Sequence, residues 1–301
     1  MDKYEERLGG FGGFIKRYLP GKVQKLTISA GFMCPNRDGS KGRGGCIYCN
    51  NSSFSPAYTM EQRSITEQIE EGKKFFSRKY PKMTYLAYFQ SYTSTNAEVD
   101  RLKVMYDEAL RCDGIKGIVI GTRPDCMPQP LLDHLKSLYS EKFVMIEYGA
   151  ESCHDKTLQR INRCHTWNDT ADAVNRTAEA GLPTGLHLIM GLPGESVKDM
   201  LSTINAVNEL PVNLIKCHQM QIIRGTRLHE EFTRGTANLI PWELDDYINL
   251  CCEITARLRD DIVIDRFVSQ SPANLLVAPR WGIKNYEFTH LLLNRLRQKQ
   301  P

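Results

Sequence analysis

Three cysteines fall within sixteen residues of this chain, at 34, 46 and 49, in the stretch CPNRDGSKGRGGCIYC. The pattern is a cysteine, eleven residues, a cysteine, two residues and a third cysteine. Buried core cysteines prefer apolar strands and helices, whereas the residues between these are polar and glycine-rich. A structural zinc ion needs four ligands. No histidine precedes His134 and the next cysteine is Cys112, so a fourth ligand would have to come from far along the chain. A cube of four irons and four sulfides asks for less, because three thiolates hold three corners and leave one iron open.

An open iron can take a small chelating molecule through an amine and a carboxylate. Reductive cleavage of S-adenosylmethionine (SAM) requires that arrangement: one electron enters the sulfonium, a carbon–sulfur bond breaks and a 5′-deoxyadenosyl radical forms. Gly39, Gly42, Gly44 and Gly45 would let the loop wrap a cluster at backbone distance, with N–H groups near its sulfurs. Tyr48, inside the closing Cys-Ile-Tyr-Cys, offers a flat face to an adenine.

Something must hold that loop in place. Short apolar, β-branched runs occur at 25–29, 84–89, 117–121, 143–149, 184–191 and 213–220. Amphipathic stretches lie near 61–79, 97–111, 129–141, 154–162, 168–180 and 196–209. Alternation of this kind predicts an α/β fold with a parallel sheet and right-handed crossovers, as an open sheet or a barrel. In both, ligands bind at the carboxyl ends of the strands, and Cys34 follows the first one.

Composition narrows the class. The 301 residues are 41% hydrophobic and 25% charged, with a net charge of +4. That is ordinary for a soluble globular chain and permits an anionic or RNA partner without demanding one. No apolar run approaches the roughly 20 residues of a membrane span. The first twenty residues lack the basic start and apolar core of an export signal, which predicts a reducing cytoplasm. There the ten cysteines point to metal or redox chemistry rather than disulfides.

The loop and a series of further motifs resemble the radical SAM superfamily. The closer likeness is to its bacterial branch related to the catalytic subunit of Elongator, without the acetyltransferase domain. The motifs are AYFQSYTST (87–95), IGTRPDCMP (120–128), EYGAES (147–152), INRCHT (161–166), GLPGE (191–195), IIRGTRL (222–228) and APRWGIKN (278–285). The resemblance implies a partial (β/α)6 TIM-like barrel with N- and C-terminal helical extensions. It implies a single domain, with a core at about 22–235 and a capping segment at about 240–301. It also implies a 4Fe–4S cluster on Cys34, Cys46 and Cys49, and SAM as cofactor. Gln90, Ser91 and Thr93 would take the place of the usual amine-binding stretch. Glu151 would face the ribose hydroxyls and Arg163 the methionine carboxylate. His187 and Ile189 would approach ribose and adenine. Gly121 stands where many relatives carry an acid, and Arg123 and Asp125 are the groups nearby. A site for SAM, which carries an ammonium, a sulfonium and a carboxylate, should combine an acid with a fixed cation, and Glu151 and Arg163 supply both.

For function the resemblance implies modification of the C5 side chain of a wobble uridine in tRNA, with an electron donor such as flavodoxin or ferredoxin and no membrane. His218 and Arg224, after the sixth strand, are candidates for substrate contact. Trp281, Arg280 and Lys284 could meet a nucleotide. One alternative is a radical SAM enzyme acting on a small metabolite or peptide, which unchanged tRNA nucleosides in a deletion strain would favour. Another is a zinc-stabilised, non-catalytic RNA-binding protein, which one zinc per chain would favour.

Overall fold

Among the described residues, nine strands follow one another: β1 (Val23–Ile28), β2 (Thr84–Phe89), β3 (Ile115–Thr122), β4 (Phe143–Glu151), β5 (Thr184–Met190), β6 (Leu214–Gln219), β7 (Ile222–Ile223), β8 (Val263–Arg266) and β9 (Leu276–Ala278). The structure is a computed structural model and describes residues 3–50, 63–78, 82–239 and 241–299. Among those residues eleven α-helices accompany the strands: α1 (Lys3–Arg7), α2 (Gly10–Ile15), α3 (Ile65–Ser77), α4 (Val99–Arg111), α5 (Gln129–Tyr139), α6 (Asp155–Arg160), α7 (Trp167–Glu179), α8 (Val197–Asn208), α9 (Arg227–Thr233), α10 (Leu244–Arg257) and α11 (Asn285–Gln298). The helix expected at 61–79 is α3; positions 61, 62 and 79 lie outside the described residues. Several helices start where short polar side chains close a capping box, as at Ser64 with Glu67, Thr166 with Asp169 and Ser196 with Asp199. Each such cap contributes about 0.5–2 kcal/mol.

The main sheet is parallel, in the order β1-β2-β3-β4-β5-β6-β8. Were it flat, β1 and β8 would lie about 29 Å apart at the usual strand spacing. Instead Lys25 on β1 approaches Asp265 on β8 to 4.0 Å. The sheet is therefore rolled into an open barrel, with β1 and β8 at the ends of its ladder. The expected α/β half-barrel is the observed one, extended by one strand. β8 is only four residues long and lies in the segment expected to be a helical cap. Its place beside β6 is set by long-range pairing that a short apolar run does not announce.

The outer face is covered by helices in one continuous core that includes Leu102, Tyr106, Leu131, Leu135, Val174 and Ile204. The inside is layered. At the bottom Phe11, Phe14 and Ile15 of α2 pack against Leu86, Val119, Met145, Leu214 and Val263. Phe11 donates its backbone N–H to Asp265 at 2.8 Å, so α2 plugs the seam between β1 and β8. Above that apolar plug the interior turns polar and opens toward the carboxyl ends of the strands. α11 buries Phe288, Leu292 and Leu296 and packs against α10.

Candidate active site

The cysteine loop leaves β1 and folds back on itself. Arg37 and Asp38 donate backbone N–H groups to the carbonyl of Cys34, and Cys49 donates to that of Cys46. Gly45 has φ +73°, and a Cβ there would lie 2.8 Å from the Arg37 side chain. A side chain at that position would meet both obstacles at once. The buried Asn36 donates to Cys46 Sγ at 3.6 Å, and Arg163 Nη1 reaches the same sulfur at 3.7 Å. Cys34, Cys46 and Cys49 all line one cavity of about 250 Å³. Burial, then the nearby Cys46, pushes the Cys49 thiol up to about 11, with Arg37 opposing. Metal coordination removes such a proton outright.

Among the described residues no three Cys, His, Asp or Glu side chains converge on a single ion. A lone zinc would draw its thiolates to within about 4 Å of each other. Cys34, Cys46 and Cys49 would hold three corners of a 4Fe–4S cube.

The end of β4 supplies the second part. Glu151 sits at φ +67°, an uncommon conformation for a side-chain-bearing residue, beside an irregularity in the β4–β5 register. Its carboxylate is 3.3 Å from Arg163, which also donates to the Gly149 carbonyl at 2.7 Å. A Cβ on Gly149 would lie 2.5 Å from Arg163 Nη2. The glycine thus lets the guanidinium lie flat on the strand, aimed at Cys46. Burial raises the pKa of Glu151 despite Arg163.

Gln90, Thr93, Tyr48, His187, Ile189 and His218 also line the cavity. Ser91 is buried but is not part of its lining. Arg224 is exposed, and its Nε donates to the Asn274 carbonyl at 3.4 Å, on the rim formed by β7 and β9 and outside the lining of this cavity. Arg123 lines the cavity, but Asp125 is spent on Arg123 at 2.9 Å and on Lys41 at 2.7 Å. Trp281 stacks on Phe288 and donates to the Trp242 carbonyl, so its ring serves packing rather than a nucleotide. Gln219 and Gln221 both donate to the Ser269 carbonyl, at 3.0 and 2.9 Å, and pin the loop after β8 to the cavity edge.

The cavity floor is the part that sequence reasoning missed. Glu147 on β4, fully buried, accepts from Tyr88 at 2.6 Å, pairs with Lys25 at 3.4 Å and His187 at 3.1 Å, and forms a close ion pair with Lys216. Burial opposes its ionisation, but Lys216, Lys25 and His187 hold its pKa well below the usual carboxylate range. Burial, then Lys216, brings His187 down to about 4, so its ring is neutral. Burial brings Lys216 down to about 8. The only signal in the sequence is a charge at an inward position of an otherwise apolar strand, as in VMIEYG and LIKCH.

An open parallel barrel with three thiols on one loop and a buried Arg–Glu pair at the carboxyl ends of its strands defines a barrel enzyme whose reaction centre lies at the rim. The model of the Radical SAM superfamily matches residues 39–207, and that of the Radical_SAM C-terminal domain matches 212–298. This chain belongs to the radical SAM superfamily. It is 39% identical over 272 residues to Protein YhcC of Escherichia coli, spanning 90% of this chain and 86% of that one. It is 24% identical over 185 residues to the tRNA uridine(34) acetyltransferase of Methanocaldococcus infernus, 60% of this chain and 33% of that one. The fold resembles that of M. infernus Elp3, with a TM-score of 0.67, 17% identity, and coverage of 93% of this chain and 64% of that one.

Members of this superfamily bind a 4Fe–4S cluster and SAM, and the residues present fit that pair. Buried atoms without a partner among the described residues include Arg163 Nε, Arg123 Nη1 and Thr93 Oγ1, all from residues that line the cavity. Native interiors rarely leave such atoms unmatched, and a ligand bearing a carboxylate, an amine and ribose hydroxyls would satisfy them. Among the described residues no helix is long and apolar enough to cross a membrane.

Proposed function

We propose that this radical SAM enzyme modifies the C5 side chain of the wobble uridine of tRNA. One observation carries the choice of substrate: the sequence similarity to an archaeal tRNA uridine(34) acetyltransferase. The geometry agrees with a polyanion. A polar pocket of about 390 Å³ adjoins Cys46 and Cys49 and is lined by Arg37, Arg43 and Arg227, which suits the approach of phosphates.

In this reading Cys34, Cys46 and Cys49 hold the cluster. The chemistry supplied by cluster and SAM when bound is one-electron cleavage of a carbon–sulfur bond, giving a carbon radical that abstracts hydrogen. Arg163, fixed by Gly149 and Glu151, orients the methionine carboxylate. Tyr48, Gln90, Thr93, His187 and Ile189 shape the pocket for the rest of SAM. His218 faces the substrate side. The whole chain works as one unit in the cytoplasm and takes its electron from a donor such as flavodoxin or ferredoxin.

Modified nucleosides in tRNA from cells with and without the protein test the substrate. A changed wobble uridine is the expected result; an identical nucleoside profile would sink the tRNA reading while leaving the radical SAM class standing. The class itself is checked by anaerobic reconstitution, with close to four irons per chain and release of 5′-deoxyadenosine from SAM.

A further inference from the structure

The two sides of the cavity are charged differently. Toward β3 and β4 each guanidinium has a carboxylate: Arg163 has Glu151 at 3.3 Å and Arg123 has Asp125 at 2.9 Å. Toward β6 and β8 the layer beneath sets three cations, Lys25, Lys216 and Arg266, against two carboxylates, Glu147 and Asp265. Both carboxylates are already engaged by the two lysines. Arg266, the last residue of β8, is half-buried and lines the cavity, and against the desolvation of burial it acts together with Lys25 and Lys216 to lower the pKa of the adjacent Asp265 carboxylate. Its Nε is buried without a partner, and so is Nδ1 of His218 across the same cavity wall.

A guanidinium stays ionised at any pH the fold survives. A half-buried cation that shares its nearby carboxylate with two lysines gains from a ligand that brings a further negative charge. We propose that Arg266 and His218 form an anion subsite that takes a carboxylate or phosphate group of the substrate on which the enzyme acts. Arg266 offers a planar fork of donors and His218 one ring nitrogen, a set suited to two oxygens of one anion. The methionine carboxylate of SAM is a different anion. It belongs beside the cysteines, where Arg163 already reaches Cys46 Sγ at 3.7 Å. Arg266 instead acts electrostatically on Tyr88, His187, Lys216 and His218. The subsite does not depend on the substrate being RNA.

Ligand-observed NMR on anaerobically reconstituted, SAM-saturated protein tests it, with acetate, inorganic phosphate and uridine 5′-monophosphate as probes. Wild type should bind at least one of them at a single site. Acetate alone identifies a carboxylate source; phosphate or the nucleotide identifies a phosphoryl source. Arg266→Gln should weaken that binding about tenfold or more, Arg266→Lys should restore part of it, and SAM affinity should stay unchanged in both. Without anion, Arg266→Gln should melt at or above the wild-type temperature, since it removes the third cation from a layer that holds two carboxylates. Three results would each overturn the proposal: no anion binding by wild type, equal binding by Arg266→Gln, or loss of SAM binding in that variant. A variant that fails to fold also counts against it.

Discussion

The cysteine loop and the charged layer beneath it border the same cavity but are built in opposite ways. The loop is sixteen consecutive residues, shaped by local backbone hydrogen bonds and by glycines such as Gly45. The layer gathers Lys25, Tyr88, Glu147, His187, Lys216 and Asp265 from six different strands. The loop carries the three thiols that border the cavity. The layer carries no thiol, and it ties opposite sides of the barrel together. Chemistry and stability thus sit in neighbouring but separate places, and each should be breakable without the other.

The largest effect falls on the loop. Cys46→Ala should reduce 5′-deoxyadenosine release to background and lose cluster iron, while the thermal midpoint barely moves; a variant that still cleaves SAM would refute the role given to this thiol. The layer should respond in the reverse way. Glu147→Gln leaves Lys216 without its close partner in a fully buried site. A broken buried pair of this kind costs about 3–5 kcal/mol. The folded-state pKa of Glu147 lies below its ordinary 4.5, so its contribution is present above that pH and fades as the pH falls further. Denaturant titrations at pH 7 and pH 4 should therefore show the gap to wild type narrowing in acid. A constant gap would mean that the lost stability does not come from the charge.

Smaller perturbations probe the seams between the two regions. Asp125 joins β3 to the loop through Arg123 and Lys41. Against the desolvation of burial, these partners hold its pKa at about 2 rather than 3.8. Asp125→Asn should cost about 2 kcal/mol at neutral pH, an amount lost from wild type as the pH drops through about 2. Gly149→Ala should cost about 1–2 kcal/mol through crowding and weaken SAM binding, because the new methyl takes the place of Arg163 Nη2. Unchanged SAM affinity there would separate Arg163 from the cofactor.

Much of the barrel could be read directly. β2 was anticipated at its observed bounds and the other five long strands within a few residues, because an apolar run bounded by Gly and Pro needs no distant information. The rim residues were legible as motifs: a cysteine triplet, an acid after a strand, an arginine twelve residues on. That Arg224 stands on the rim and not in the cavity lining could not be read, because IIRGTRL tells nothing of which way its turn faces. β8 and Arg266 went unnoticed because a four-residue strand acquires its meaning from the β6 edge it joins.

Residue types and their local spacing therefore settled the class of chemistry, the succession of strands and helices and the thiols that face the cavity, since thiol spacing and periodicity are properties of short segments. Only the rolled sheet decided which charges meet. Lys25 and Asp265 are separated by most of the chain, yet lie 4.0 Å apart once β1 and β8 curl toward each other. Charge pairing inside a low-dielectric interior depends on that distance, and no local pattern encodes it.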